Sequence, residues 1–520
     1  MCRDLNKSRE MKKSSELKMS QQKSEPNIHP NSQRPVRPWP AELSSALLFE
    51  RGDRPESFEF HSPNDGISYG RFSLHNEDEA NALMHSVATN SSVLHAVEVS
   101  LALRKTADAL DAEHESWARL IAFEGGKPIR QARVEAERAA ITLRWSASEA
   151  ERVAGQVVPL QNLSMPQADG KPSAASWAFT QLEPAGPVLA ILAFNHPLNL
   201  LAHAVGPALA AGCPIVVKPA LETAHTAHRF CELLAQVWRV VSAAQCPVHI
   251  ALWSNSLTQS KLRDPMWGTV QFVGSSRVGW TIAQEVHPGV RVLLEHGGAA
   301  PAIVADDADL QAAAQTLCRH GYFHSGQVCV SLQRVYVHRR VADEFLRHFT
   351  QEVRALRLGD AVDEATDCGP LIRIEDADRV ESWIREAEAM GAKVLVGGQR
   401  KGERFIEPTL ISGIPEASRL AKEEIFGPVV AVQVVEDLDE ALRLANSTPW
   451  IFQASVWSKS LAQSRDLANR LRATAVMINE GPSFRVDWMP FRGEGASGRG
   501  VGGVPGHVRE LMREKLLVVR

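Results

Sequence analysis

Cys329 and Glu295 are the two side chains whose types and settings allow covalent chemistry. Cys329 closes the run Tyr322-Phe323-His324-Ser325-Gly326-Gln327-Val328-Cys329. Glu295 precedes a glycine pair in Leu294-Glu295-His296-Gly297-Gly298. A cysteine in a glycine-bearing loop and a carboxylate before Gly-Gly make a nucleophile and a water-activating base. The bland alternative for Cys329 is a small buried hydrophobe, as most free cysteines are.

Other residues fit the same chemistry. Asn195 lies in Phe194-Asn195-His196-Pro197-Leu198, just past an apolar run. Its amide can donate to an oxyanion together with the Cys329 N–H, or it can close an Asx turn before Pro197. Gly274-Ser275-Ser276-Arg277-Val278-Gly279 follows Val270–Val273. It reads as a helix start whose free N–H groups suit a pyrophosphate, with the Ser275 hydroxyl as a further donor. The spacing is G-x-x-x-x-G, so a simple helix cap also satisfies it. Lys218 ends the apolar run Pro214–Val217, where cofactors lie in an α/β sheet, although a solvated lysine there is equally ordinary. Arg485, in Phe484-Arg485-Val486-Asp487-Trp488, can clamp an anion through its planar fork. It can also pair with Asp487, two residues on and on the same face of an extended segment.

These residues need a scaffold to bring them together. From Pro187 onward, strands and helices alternate. Strands are expected at Val188–Ala193, Pro214–Lys218, Val248–Trp253 and Val270–Val273, with helices at Asn199–Ala211 and Ala224–Val240. After Gly298 the strands Ala302–Ala305, Val335–His338, Val394–Val396, Val429–Val435 and Ala454–Trp457 follow. Such alternation implies parallel sheets with helices on both faces. The expectation is an α/β chain of two doubly wound domains, with the Glu295 and Cys329 segments where they meet. From Asn76 to about Ala154 the pattern is helical, with Leu83, Val87, Leu94, Val97 and Leu101 on one face. Residues 176–182 alternate like a strand.

Length and composition narrow the function. A chain of 520 residues is too long for one core. It is 44% hydrophobic and 23% charged, with net charge −4 and a pI near 6.5. Neither nucleic acid nor an anionic membrane is called for. No apolar run reaches the roughly 18 residues of a membrane span. The seven cysteines include no C-x-x-C pair, which argues against a disulfide framework and a metal site and for the reducing cytoplasm. Residues 1–40 read as a disordered tail. Asp4, Glu10, Glu16 and Glu25 speak against a transit peptide there.

Taken together, these motifs resemble the aldehyde dehydrogenase superfamily over about residues 60–520. The likeness is strongest at 193–218, 272–279, 295–301, 326–329 and 423–428. The family's base segment usually reads Glu-Leu-Gly-Gly, so His296 is a departure. The resemblance implies an NAD(P)-binding domain over 41–152 and 185–297, a catalytic domain over 298–497, and an oligomerisation arm over 153–184 and 498–520. It implies NAD or NADP as cofactor, with Lys218, Gly274, Ser275 and Gly279 at the dinucleotide. Glu424 would hold the nicotinamide ribose, and Phe426 would pack near the ring. Many NAD-using members carry an acid three residues after the lysine. That position is Leu221 here and the acid is Glu222, so both cofactors are expected to be used. Arg492 and Gly495 replace the usual Gly and Lys of Pro-Phe-Gly-Gly-x-Lys. The run Phe194–Leu200 and Arg485 resemble the phosphonoacetaldehyde and lactaldehyde dehydrogenase-like groups.

The implied reaction is NAD(P)-dependent oxidation of a small-molecule aldehyde to an acid through a Cys329 thiohemiacetal and thioester. Water activated by Glu295 would then hydrolyse the thioester. Glu295 disfavours the coenzyme A-acylating branch, which generally lacks this base. A catalytically silent binding protein is the rival from another class, and the presence of Asn195, Glu295, Cys329 and Glu424 argues against it. A homodimer or homotetramer is expected from the strands 176–182 and 514–519.

Overall fold

The computed structural model describes Pro40, Leu43 and residues 56–89, 94–160 and 177–519. The expected tail over 1–40 lies outside these residues, Pro40 excepted, as does Ser176 of the expected arm strand.

Two mainly parallel sheets carry the site. The first has six strands, in the spatial order Gly498–Arg499, Arg291–Glu295, Thr269–Val273, Val188–Ile191, Ile215–Lys218, Val248–Ile250. Five are parallel, and Gly498–Arg499 runs antiparallel along Arg291–Glu295. The chain order reverses between Val188–Ile191 and Thr269–Val273. In a doubly wound sheet that reversal opens a crevice at the strand C-termini. The strands read as continuous apolar runs because both faces are covered. Val188, Ala190, Ile215 and Val217 pack on one side with the helices Ala96–Ala112 and Ile129–Ala150. Leu189, Ile191, Val216 and Val270 face the other side.

The second sheet has seven strands: Lys393–Val396, Thr409–Ser412, Val429–Val435, Leu332–His338, Ala300–Val304, Gln453–Trp457 and Ala475–Ile478. Only Lys393–Val396 is antiparallel to its neighbour. Glu295 ends a strand of the first sheet and Ala300 begins one of the second. The Cys329 loop lies just before Leu332–His338.

Trp177–Pro184 pairs antiparallel with Met512–Val519 and with Val157–Val158. The two strands expected to seek edge partners are thus neighbours in one small sheet. The Met512–Val519 edge still exposes Leu516 and Val518. Of residues 498–519, only Met512–Val519 belong to this sheet, since Gly498–Arg499 closes the six-stranded one.

One expectation fails. Leu83, Val87, Leu94, Val97 and Leu101 do not share a helix face. Separate helices span Glu77–Thr89 and Ala96–Ala112. Val97 is 74% exposed and Leu101 43%. The buried face of the second helix is Val99, Ala102, Leu103, Thr106, Ala107 and Leu110, because a periodic pattern carried from one helix into another loses its phase.

Candidate active site

The loop before Cys329 is held in an uncommon shape. His324 and Ser325 have φ of 49° and 53°, followed by Gly326 at 71°. Non-glycine residues adopt this region at a cost of about 1 kcal/mol or more, so neighbours must impose it. The His324 N–H donates to Gln131 Oε1 at 2.7 Å, and Ser325 Oγ donates to the Gly369 carbonyl at 2.8 Å. Gln327 Oε1 accepts from the Ile372 N–H at 3.1 Å. A Cβ at Gly326 would overlap the Gly427 carbonyl. That close approach locks the cysteine loop to the turn carrying Glu424 and Phe426.

Asn195 comes from the other sheet, just past Val188–Ile191. Its Nδ2 donates to the Gln327 carbonyl at 2.9 Å. The amide is therefore fixed beside the cysteine loop. Below it, Glu135 Oε1 accepts from the Leu198 and Asn199 N–H groups, at 2.9 and 3.2 Å, and caps the helix Pro197–Ala210. Lys127 and Glu135 form a fully buried ion pair, and Lys127 Nζ lies 2.9 Å from His196 Nδ1.

One cleft of about 1410 Å³ receives these groups, with Asn195, Glu295, Cys329, Glu424 and Arg485 all on its wall. Burial pushes the Cys329 thiol up to about 12, against the opposing pull of Arg485. Burial likewise raises the Glu295 carboxyl, again opposed by Arg485. A raised carboxyl is a better proton acceptor. A Cβ at Gly502 would collide with the Glu295 carboxylate, so that glycine leaves it room. Burial raises Glu424 to about 8, opposed by Arg379 and the Gly298 N–H.

The same cleft contains Lys218, Leu221, Glu222, Gly274, Ser275 and Phe426. Lys218 is buried, which disposes of the solvated-lysine reading, and burial lowers its pKa. Ser275 caps the helix Ser276–Glu285 by backbone alone, without a side-chain bond. Its hydroxyl remains available. Glu424 Oε1 is buried without a partner, and a Cβ at Gly297 would overlap that carboxylate. An orphaned acceptor above a glycine cradle fits a ribose hydroxyl. Gly279 is absent from the wall. It packs behind it, where a Cβ would overlap the His296 ring. The departure at His296 is thus answered by Gly279. The His296 ring is further held by the Ala496 carbonyl at 3.0 Å and edge-on by Trp280.

Arg485 does not pair with Asp487. Arg138 takes Asp487 with two hydrogen bonds of 2.7 and 3.1 Å, and His203 Nε2 adds another at 2.8 Å. Against the push of burial, these partners hold the Asp487 carboxyl well below its usual range. Arg485 instead lies flat on Phe491, 3.6 Å from the ring centre, with an N–H 3.4 Å from His203 Nε2. Its Nε is buried without a partner.

The aldehyde dehydrogenase family model matches residues 49–517. The chain belongs to the aldehyde dehydrogenase family. A 3-sulfolactaldehyde dehydrogenase of Priestia aryabhattai is 35% identical over 80% of this chain and 85% of its own length. Among solved structures, the glyceraldehyde-3-phosphate dehydrogenase of Methanocaldococcus jannaschii complexed with NADP has a TM-score of 0.83 at 28% identity. The match covers 90% of this chain and 100% of that one. Aldehyde dehydrogenase 21 of Physcomitrella patens, in complex with the reaction product succinate, has a TM-score of 0.82 at 31% identity over 92% and 97%. The expected resemblance to the aldehyde dehydrogenases and the α/β doubly wound fold therefore hold. This aldehyde dehydrogenase oxidises an aldehyde with NAD or NADP.

Reading the sequence missed Arg373, Arg379 and Arg138, which line the cleft. Each acts on a residue far away in the chain, and no local motif marks them.

Proposed function

We propose that this dehydrogenase oxidises a small aldehyde bearing an anionic group to the free carboxylic acid, with Arg485 holding the anion. The observation that carries this reading is a half-buried arginine in the cleft of Cys329 and Glu295, its Nε buried without a partner, with no carboxylate ion pair among the described residues. A buried charge left unpaired is costly and calls for an opposite one. The name of the Priestia relative and the succinate bound to the Physcomitrella enzyme support the same class.

In the proposed mechanism Cys329 Sγ bonds to the aldehyde carbon. The Asn195 amide and the Cys329 N–H donate to the oxygen as it becomes an oxyanion. Bound NAD or NADP supplies the acceptor for the hydride. Lys218, Ser275 and Glu424 would hold and orient it, with Phe426 beside it. The acyl group is then a thioester on Cys329, and Glu295 takes a proton from the water that cleaves it. The Cys329 thiol, near pKa 12, loses its proton to solvent as it attacks, and the positive charge of Arg485 in the same cleft favours the thiolate. Glu295 stays free to take the water proton. The presence of that base supports hydrolysis over transfer to coenzyme A.

We further propose an NAD(P)-binding domain over 41–152 and 185–297, a catalytic domain over 298–497 and a cytoplasmic dimer or tetramer. The exposed apolar residues of the Met512–Val519 edge support association, since such edges are usually covered. Light scattering at micromolar concentration tests it. The function itself is tested with a panel of neutral and anionic aldehydes and both cofactors. Cys329→Ala should abolish turnover while cofactor binding persists. A variant that kept substantial activity would remove Cys329 as nucleophile.

A further inference from the structure

The acid that follows Lys218 is already engaged by an arginine far away in the chain. Ile215–Lys218 ends at the cleft, and the turn Leu221–Thr223 follows. Leu221 packs its apolar side chain against Phe72, Leu74 and Leu252. Glu222 lines the cleft and meets Arg373. Its Oε1 accepts from Arg373 Nε at 2.6 Å and also contacts an Arg373 terminal nitrogen. Arg373 also lines the cleft, at the N-cap of the helix Ile374–Ala389, with its guanidinium 5.9 Å from the Phe194 ring centre. Only one carboxylate oxygen of Glu222 is used by the arginine, and a guanidinium has five N–H donors. Both partners therefore retain capacity for a ligand, and both line the cleft with Lys218.

A free carboxylate beside the adenosine ribose accepts from a 2′-hydroxyl and repels a 2′-phosphate, whereas a nearby arginine accommodates that phosphate. Here the two devices are joined in one pair. We infer that Arg373 is the residue that admits the 2′-phosphorylated cofactor: it neutralises Glu222 and offers its remaining N–H groups to the phosphate. Lys218, buried on the same side, adds a second positive charge. Arg277, also on the wall, adds to the basic field, while Glu285 on the wall and Glu375 and Asp376, in the helix turn that Arg373 caps, oppose it, Asp376 being paired with Arg379. This inference rests on the proposed cofactor cleft and sets the adenosine ribose beside Lys218 and Glu222.

The test is calorimetric titration of the purified full chain with NADP+ and with NAD+, without aldehyde. The wild type should bind both. Arg373→Ala should weaken NADP+ by roughly tenfold to a hundredfold, the worth of a lost charge-assisted hydrogen bond, and NAD+ by less than about threefold. Glu222→Gln should tighten NADP+, because the competing carboxylate is gone. The double variant should bind NADP+ more weakly than Glu222→Gln alone. Equal weakening of both nucleotides by Arg373→Ala, or no change in either, overturns the inference. Recovery of the double variant to the level of Glu222→Gln overturns direct contact with the phosphate. A wild-type chain that prefers NAD+ by more than roughly a thousandfold overturns it too. With no aldehyde present, failure of the Cys329 or Arg485 readings leaves these titrations untouched. A chain that bound neither nucleotide would instead overturn the cofactor cleft itself.

Discussion

Replacing Arg485 by Ala separates substrate recognition from structure. In the fold this guanidinium is stacked on Phe491 and has no carboxylate partner among the described residues, while Asp487 is occupied by Arg138 and His203. An anionic aldehyde would receive charge-assisted hydrogen bonds of about 1.5–3 kcal/mol each. Losing a two-pronged contact should cost an anionic substrate about 3–4 kcal/mol, or roughly two to three orders of magnitude in kcat/KM. A neutral aldehyde of like size loses no such contact. It feels only the weaker field of Arg485 on Cys329 and Glu295, and its kcat/KM should fall by about tenfold or less. Arg485→Lys keeps the charge without the fork and should fall between. The assay is steady-state kinetics at the reduced-nicotinamide absorbance, with neutral, carboxylate-bearing and sulfonate-bearing aldehydes of matched length. Thermal unfolding supplies the control. Arg485 is half-buried and forms no ion pair among the described residues, so the Ala variant should lose little more than its stacking on Phe491, about 1 kcal/mol. Equal losses for neutral and anionic aldehydes would refute the clamp, and so would a large drop in melting temperature.

Other perturbations reach different parts of the site. Glu295→Gln should permit the first hydride transfer and stall hydrolysis, visible as a burst of reduced cofactor and a trapped thioester by mass spectrometry. Unchanged turnover would exclude Glu295 as the base. Gly279→Ala should destabilise the protein by about 1–3 kcal/mol through overpacking against His296. In a His296→Ala background the same change should be neutral or stabilising, because alanine favours a helix over glycine by about 1 kcal/mol. A double-mutant cycle with no coupling would contradict that packing. The Lys127–Glu135–His196 cluster should make stability fall in acid. Burial holds His196 down to about 4, so it is neutral in the fold and opposes folding as pH drops from 6.5 towards 4. Burial opposes ionisation of Glu135, yet Lys127 and His196 bring it down to about 2. Its contribution is therefore present above 4.5 and lost as pH falls from 4.5 towards 2. Urea midpoints that stayed level from pH 7 to 4, or a His196→Asn variant with the same slope as the wild type, would refute this account.

Much of the site was legible because its chemistry is written in short runs. Cys329 with its glycine loop, Glu295 before Gly-Gly, Asn195 after a buried strand and the helix start at Gly274 each declare themselves within a few residues. The alternating strands foretold a parallel sheet because a strand covered on both faces must be apolar throughout. What the sequence could not supply was partner choice. By the spacing of an extended segment, Arg485 and Asp487 should pair. The fold gives Asp487 to Arg138 and His203, 349 and 284 positions away, and thereby leaves the arginine free for a ligand. Glu222 looked like an acid shifted by one place from its relatives, and only the fold sets Arg373 opposite it, 151 positions on. His296 reads as a simple substitution in the sequence, but in the fold its ring fills the space that Gly279 leaves. The helix-face expectation failed for a related reason, because periodicity speaks for one continuous helix and these residues sit on two. Local chemistry is set by covalent neighbours. The pairing of buried charges is settled by which groups the packed core brings within hydrogen-bond reach, since a charge removed from water must find its partner there.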